Sequence, residues 1–281
     1  MIKIISDSTC DLSPELLDKY DITIIPLHIH LGDEEYEDGV NITPEEIYQW
    51  SDENKTTPKT SAISLTEAME VFRVYTEMND EIISFSISDE MSATGSVMRM
   101  AAQELEKEDK IHVINSANLS TGSGLLVLEA AEMARAGKTA EEIVTHIENL
   151  RERVRASFVV DTLTYLHRGG RCSSVAALAG GVLKMHPKIV VENGKMDAGK
   201  KYRGKMQSVI LSYVKEMEEE LKQAKKNRVF ITHSGCDEET ITMVRNYLEE
   251  LHVFEEILIT RAGGVVSSHC GPGTLGVLFI A

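Results

Sequence analysis

Basic residues are scarce in this chain: 29 Lys and Arg stand against 45 Asp and Glu, a formal net charge of −16 over 281 residues. Such a surface repels phosphate backbones and anionic headgroups. It excludes a general nucleic-acid or membrane-binding face and leaves at most a local basic patch. Cysteine is sparse too. Cys10, Cys172, Cys236 and Cys270 lie far apart with no Cys-x-x-Cys pair, so neither a disulfide framework nor a zinc site is supported, and a reducing, cytoplasmic setting is expected. No apolar run reaches membrane-spanning length, and the N-terminus reads as a strand, not a signal peptide. His-Glu-x-x-His, the Gly-x-Ser-x-Gly elbow and the phosphate loop ending in Gly-Lys-Ser/Thr are all missing, so no metal and no nucleotide cofactor is expected. One Trp against twelve Met points to an adaptable interior.

What the chain does have is hydroxyls where strands end. An apolar run over 82–87 has strand length; Ser88, Ser92, Thr94 and Ser96 follow, and then a helical pattern through Val97, Met98, Ala101 and Leu105. Hydroxyl and backbone N–H donors at a helix start can hold an anion, with Ser92 and Thr94 as donors; helix capping by Ser88 or Ser92 is the alternative. Two more hydroxyl-rich loops are predicted, over 56–61 and 115–124. Thr43 with Glu46, Ser64 with Glu67 and Thr139 with Glu142 are spaced as helix starts. The run over 22–31 contains Pro26 and reads as an edge strand or a bend, with His28 and His30 on one half-exposed polar face and no third metal ligand. Strand then helix recurs, as in a parallel sheet covered on both faces. Ligands in such sheets sit beyond the carboxyl ends of the strands, where the three loops are expected.

Near residue 157 the texture changes. Strands are expected at 158–160, 188–192, 228–232, 254–260 and 275–280, with charged helices near 205–226 and 237–251. A short helix should break at Gly169-Gly170, and an apolar one starting at Ser173 or Ser174 contains Gly180-Gly181. The expected fold class is α/β in two domains, an α/β/α parallel-sheet domain over 1–157 and an α+β two-layer domain with a mixed sheet over 158–281. Lys200, Lys201, Arg203 and Lys205, between Gly199 and Gly204, read by charge alone as a solvated loop.

Ser92 or Thr60 with His269 and an Asp are the raw material of a hydrolase triad, but scattered Ser, His and Asp are expected in any chain of this length. Asp7, Asp11, Asp89 and Asp161 are candidate acids, and capping and loop duties account for most such residues. Gly271-Pro272-Gly273-Thr274 reads as a turn.

Taken in order, several segments carry a resemblance to the DegV family. Ile5-Ser6-Asp7-Ser8-Thr9-Cys10-Asp11-Leu12 is similar to its opening segment, and Pro58-Lys59-Thr60-Ser61-Ala62-Ile63-Ser64 to its Pro-x-Thr-Ser loop. Ser88 through Gly95 resembles its Leu-Ser-Gly-Thr loop, with Ala93 where Gly is usual. Leu166-His167-Arg168-Gly169-Gly170-Arg171 and the stretch from Ser268 to Gly276 resemble the later segments. The resemblance implies a two-domain protein, not itself a catalyst, that holds a long-chain fatty acid between its domains. It presents the carboxylate to a separate kinase subunit, which supplies ATP and makes the acyl phosphate. By the same resemblance Thr60 and Ser92, with Thr94, hold the carboxylate, Arg171 and His269 close the head-group end, and Arg203 engages the kinase. The bound fatty acid is the only ligand implied, no nucleic acid is involved, and lipid loading leaves room for a transient contact with a membrane surface. The alternative is an enzyme of acyl or phosphoryl chemistry using Ser92 and His269.

Overall fold

The computed structural model describes residues 1–78, 80–172, 174 and 185–281. The apolar helix expected around Gly180-Gly181 lies outside them. Strands β1 (Ile2–Asp7), β2 (Thr23–Ile25), β6 (Glu81–Ser86) and β7 (Ile111–Asn115) form a parallel sheet in the order β2-β1-β6-β7. β1 and β6 each bury five of six residues, as strands covered on both faces must. Helices α3 (Leu65–Glu77) and α4 (Thr94–Glu104) close one face over Ile5 and Ile82. Helices α5 (Thr121–Arg135) and α6 (Ala140–Arg151) close the other over Ile83 and Phe85. The expected capping boxes start α3, α6 and α2 (Pro44–Asn54); α1 (Pro14–Tyr20) is capped by Ser13.

The second sheet has the order β10-β9-β8-β13-β11-β12 and is antiparallel except for β11 beside β12. Its strands are β8 (Val154–Val159), β9 (Met185–Glu192), β10 (Lys195–Arg203), β11 (Arg228–His233), β12 (Glu256–Arg261) and β13 (Leu275–Ile280). Its outer face is packed by α8 (Met206–Glu216), α9 (Glu218–Gln223) and α10 (Glu238–Glu250) through Tyr213, Leu221, Val244 and Leu248. The inner face lies against α5. That helix buries eleven of its fifteen residues, which leaves it no solvent face and makes it the wall shared by both sheets. One apolar cluster accordingly runs from Ile83 and Phe85 through Leu125 to Phe158, Phe230 and Leu278. Glu129 of α5, itself buried, is held by Lys225 Nζ at 2.6 Å and Asn227 Nδ2 at 2.7 Å.

Several sequence expectations change here. Pro26 does not bend one strand; it separates β2 from β3 (His28–Leu31), which joins a third sheet with β4 (Glu34–Glu37) and β5 (Lys59–Ser61). The loop over 56–61 is therefore partly strand, with Thr60 opposite Ile29, and of the three hydroxyl-rich loops only those after β6 and β7 lie at the carboxyl edge of the parallel sheet. His28 is buried, its Nε2 3.0 Å from Glu67 and its Nδ1 3.2 Å from Glu35. The basic stretch is not a loop but the edge strand β10, in which Met196 and Tyr202 turn inward while Lys200, Lys201 and Arg203 face solvent. Charge on an exposed edge discourages strand-on-strand association, and β10 also carries a register shift between Ala198 and Lys201. The helix expected over 205–226 is two helices joined at Met217. Among the described residues no helix is long and apolar enough to cross a membrane.

Candidate functional site

The stretch before Gly271 is a helix that sequence patterning does not announce, α11 (Gly264–Cys270), with α7 (Thr164–Gly169) against it. No side chain of its own caps α11. Two carboxylates from the opening half of the chain do so instead: Gly263 N donates to Asp11 Oδ1 at 2.8 Å, and Gly264 N to Asp38 Oδ1 at 2.6 Å. Glycine at 264 allows this approach, since a Cβ there would lie 2.6 Å from Ile29 Cδ1 and 2.9 Å from Ile47 Cδ1 and force those buried side chains to shift. Ser120 Oγ donates to the other oxygen of Asp11 and Ser8 Oγ to that of Asp38. Nearby, Asp7 accepts from Thr9 and from Ile87 N, which ties β1 to the loop after β6. Burial pushes the Asp7 carboxyl up to about 6 and that of Asp11 up to about 8, and raises Asp38 as well, against the lowering effect of their donors. The Asp-rich opening segment thus frames the site and does not line it.

α11 places His269 on a cavity of about 200 Å³. Thr60 of β5 meets the ring, Oγ1 2.8 Å from Nε2. Ser92, Ala93 and Arg171 also line this chamber, together with Leu27, Ile87, Met91 and Met196. Burial, reinforced by the positive charge of Arg171, pushes the His269 imidazole down to about 4, so the ring is neutral near pH 7. Its Nδ1 has no hydrogen-bond partner among the described residues and rests against Gly169, where a Cβ would come within 2.3 Å. Arg171 is exposed at the rim, with Nη1 donating to Gly169 O at 2.8 Å.

Leu119, Val266 and Cys270 are common to this chamber and to a second one of about 30 Å³ between α11 and the inner face of the second sheet. Ala156, Phe158, Val191 and Leu278 supply most of its carbon. The hydroxyls on its wall are engaged elsewhere: Thr232 with Thr121 and Thr260, Ser234 with Gly271 O, Ser120 with Asp11, and Thr274 with Cys270 O. What faces the space is apolar. The arrangement is a mostly apolar chamber, with Thr60, Ser61, Ser92, Arg171 and His269 as its polar residues, adjoining a narrow apolar passage.

Of the residues singled out from sequence, Thr60, Ser92, Arg171 and His269 come together on one chamber although 209 positions separate the first from the last. Thr94 does not line it; fully buried, it sits 2.9 Å behind Ser92 Oγ. Neither Ser88 nor Ser92 caps α4, whose cap position is Ala93 with no side-chain bond, and Ser88 Oγ instead donates to Gly194 O in the β9–β10 turn. Arg203 is exposed at the end of β10, outside the cavity lining. Met196, Leu119, Val266 and the Asp11–Asp38 clasp were not foreseen. The alternation of Met196 and Ala198 with charged neighbours was the available signal for the first.

The model of the family described as "Uncharacterised protein, DegV family" matches residues 1–281. A DegV domain-containing protein of Deinococcus radiodurans is 34% identical over 276 residues, covering 98% of this chain and 97% of its own. A fatty-acid-binding DegV family protein of Thermus thermophilus is similar in structure, with a TM-score of 0.92 at 30% identity over 100% of this chain and 99% of its own. A stearic acid-binding protein of Eubacterium ventriosum gives 0.87 at 31% identity, over 100% and 98%. With its fold, its ordered segments and its whole length accounted for, this chain belongs to the DegV family.

Proposed function

We propose that the protein binds a long-chain fatty acid, with the carboxylate in the Thr60–Ser92–His269 vestibule and the tail running past Leu119, Val266 and Cys270 between the two sheets. The observation that carries this reading is the junction of a small chamber holding a few convergent hydrogen-bonding groups with a passage whose hydroxyls are already satisfied. When Nε2 of His269 holds the ring proton, it donates to Thr60 Oγ1 and turns the Thr60 proton toward the cavity, where a carboxylate oxygen accepts it. Ser92 supplies a second neutral donor and Arg171 a charge at the rim. No buried countercharge has to be desolvated. Fifteen methylenes at about 0.8 kcal/mol each give on the order of 12 kcal/mol before association costs, so the tail supplies the affinity and the head the orientation. The passage, with space for only a water or two, has to widen as the tail enters.

The same reading makes the protein a cytoplasmic, non-catalytic subunit that offers the bound carboxylate to an ATP-dependent kinase, with Arg203 on the docking face. Its charge supports this: Lys200 is paired with Glu216 at 2.5 Å, whereas Arg203 has no carboxylate partner among the described residues. The rival, Ser92 and His269 as nucleophile and base, lacks its geometry. His269 meets Thr60 and not Ser92, and no acid among the described residues orients Nδ1. Native mass spectrometry of the protein purified from cells is expected to find it carrying a fatty acid, and isothermal titration to find tight binding after delipidation. A protein that purifies empty and binds none, or a Ser92-dependent hydrolysis of acyl esters, would overturn the reading.

A further inference from the structure

In the second sheet, β8 and β9 pair only from Ser157 opposite Val190 to Val159 opposite Lys188. Beyond that register β8 continues back to Val154 and β9 on to Glu192 without pairing to each other, so the sheet is split there. The split opens on a groove of about 980 Å³. Ala156 and Val191 line both this groove and the narrow apolar passage, just as Leu119, Val266 and Cys270 line both the passage and the vestibule. Three spaces therefore adjoin one another through shared walls: a mostly apolar chamber with a cluster of hydrogen-bonding groups, an apolar passage and a polar groove. The far groove is rich in hydrogen-bonding groups. Arg151 donates to Asn115 O, Arg155 to its own neighbours' carbonyls, and Lys188 lies 5.6 Å above the Tyr213 ring; none of the three is held in a salt bridge among the described residues. Glu152, Glu192 and Glu220 also border it, which leaves it polar without a strong net sign.

Resting on the fatty-acid reading above, we propose that the tunnel is open at its far end and that the protein takes long-chain acids with a polar ω-terminus, the hydroxyl of an ω-hydroxy acid emerging through the β8–β9 split into the groove. A tunnel that ends blindly in carbon would leave such a hydroxyl buried and unpaired, a loss of more than about tenfold in affinity. An open end returns it to water and to the groove's donors and acceptors, at a cost within about threefold.

The test is a set of titrations of delipidated protein with the unsubstituted acids of 16, 18 and 22 carbons and their ω-hydroxy counterparts. The expected result is at least one chain length at which the ω-hydroxyl costs less than about threefold, and a Val191→Phe variant in which that cost rises above about tenfold because the side chain fills the passage. A loss above about tenfold at every length overturns the proposal while leaving fatty-acid binding intact, as does a Val191→Phe variant with an unchanged cost. If that variant does not fold, the comparison on the native chain decides. Failure to bind even the unsubstituted acids is the different result that removes the fatty-acid reading itself.

Discussion

Replacing Thr60 by Val removes one hydroxyl and almost nothing else, because Val keeps the β-branch that the short strand β5 favours. Two hydrogen bonds are lost on the proposed reading, and they affect different measurements. The bond to His269 Nε2, 2.8 Å long, is missing from both the empty and the loaded protein. It cancels from the affinity and appears as a loss of stability of about 0.5–1.5 kcal/mol. The bond to the carboxylate exists only in the complex. A hydrogen bond to a charged group is worth about 1.5–3 kcal/mol, so the Kd for hexadecanoic acid should rise by about ten- to 150-fold. Methyl hexadecanoate carries the same tail without the charge, and its affinity should fall by no more than about tenfold. Titration of both ligands against both proteins, with a denaturant melt of each, separates the two effects. Wild-type affinity in the variant, or an equal loss for acid and ester, would refute the placement of the carboxylate at Thr60.

Gly169→Ala should lower acid affinity several-fold with the fold retained by circular dichroism, because its Cβ would stand 2.3 Å from His269 Nδ1 and displace the ring from Thr60. Asp11→Asn should flatten the pH dependence of stability. The native carboxyl, pushed up to about 8 by burial, holds its proton where the unfolded one, near 4, does not, so wild-type stability falls as pH rises through 8. His269 has the opposite sign, its stabilising neutral state being lost as pH falls from 6.5 toward 4, and buried Cys10 and Cys270 add a fall of the same sign as Asp11 near pH 8.5, so the aspartate is read as the difference between wild-type and Asp11→Asn urea midpoints from pH 6.5 to 8; a difference that does not change with pH would contradict it. Arg203→Ala should leave lipid titrations unchanged yet slow acyl-phosphate formation with the cognate kinase, the deficit shrinking at high salt as the charge is screened. Equal losses in both would make Arg203 part of the pocket.

Local signals in the sequence were sufficient for much of this protein. Thr43, Ser64 and Thr139 start helices because a hydroxyl and a Glu three residues on satisfy each other's backbone donors, a contact made within one turn. The buried strands β1 and β6 are legible as apolar runs, whereas Thr60, Ser92, Arg171 and His269 stood out as a group only through the resemblance of the ordered segments that carry them. The tertiary structure decided everything that depends on contact between distant segments. α11 has no cap of its own and is fastened by Asp11 and Asp38, more than 200 residues earlier, so no local pattern could announce it. β10 reads as a charged loop until β9 pairs with it, because an edge strand needs an apolar residue only at its inward positions, here Met196 and Tyr202. The chamber itself exists only where α11 meets β5 and the loops after β6 and β7, and side-chain periodicity along one segment carries no information about the space between several.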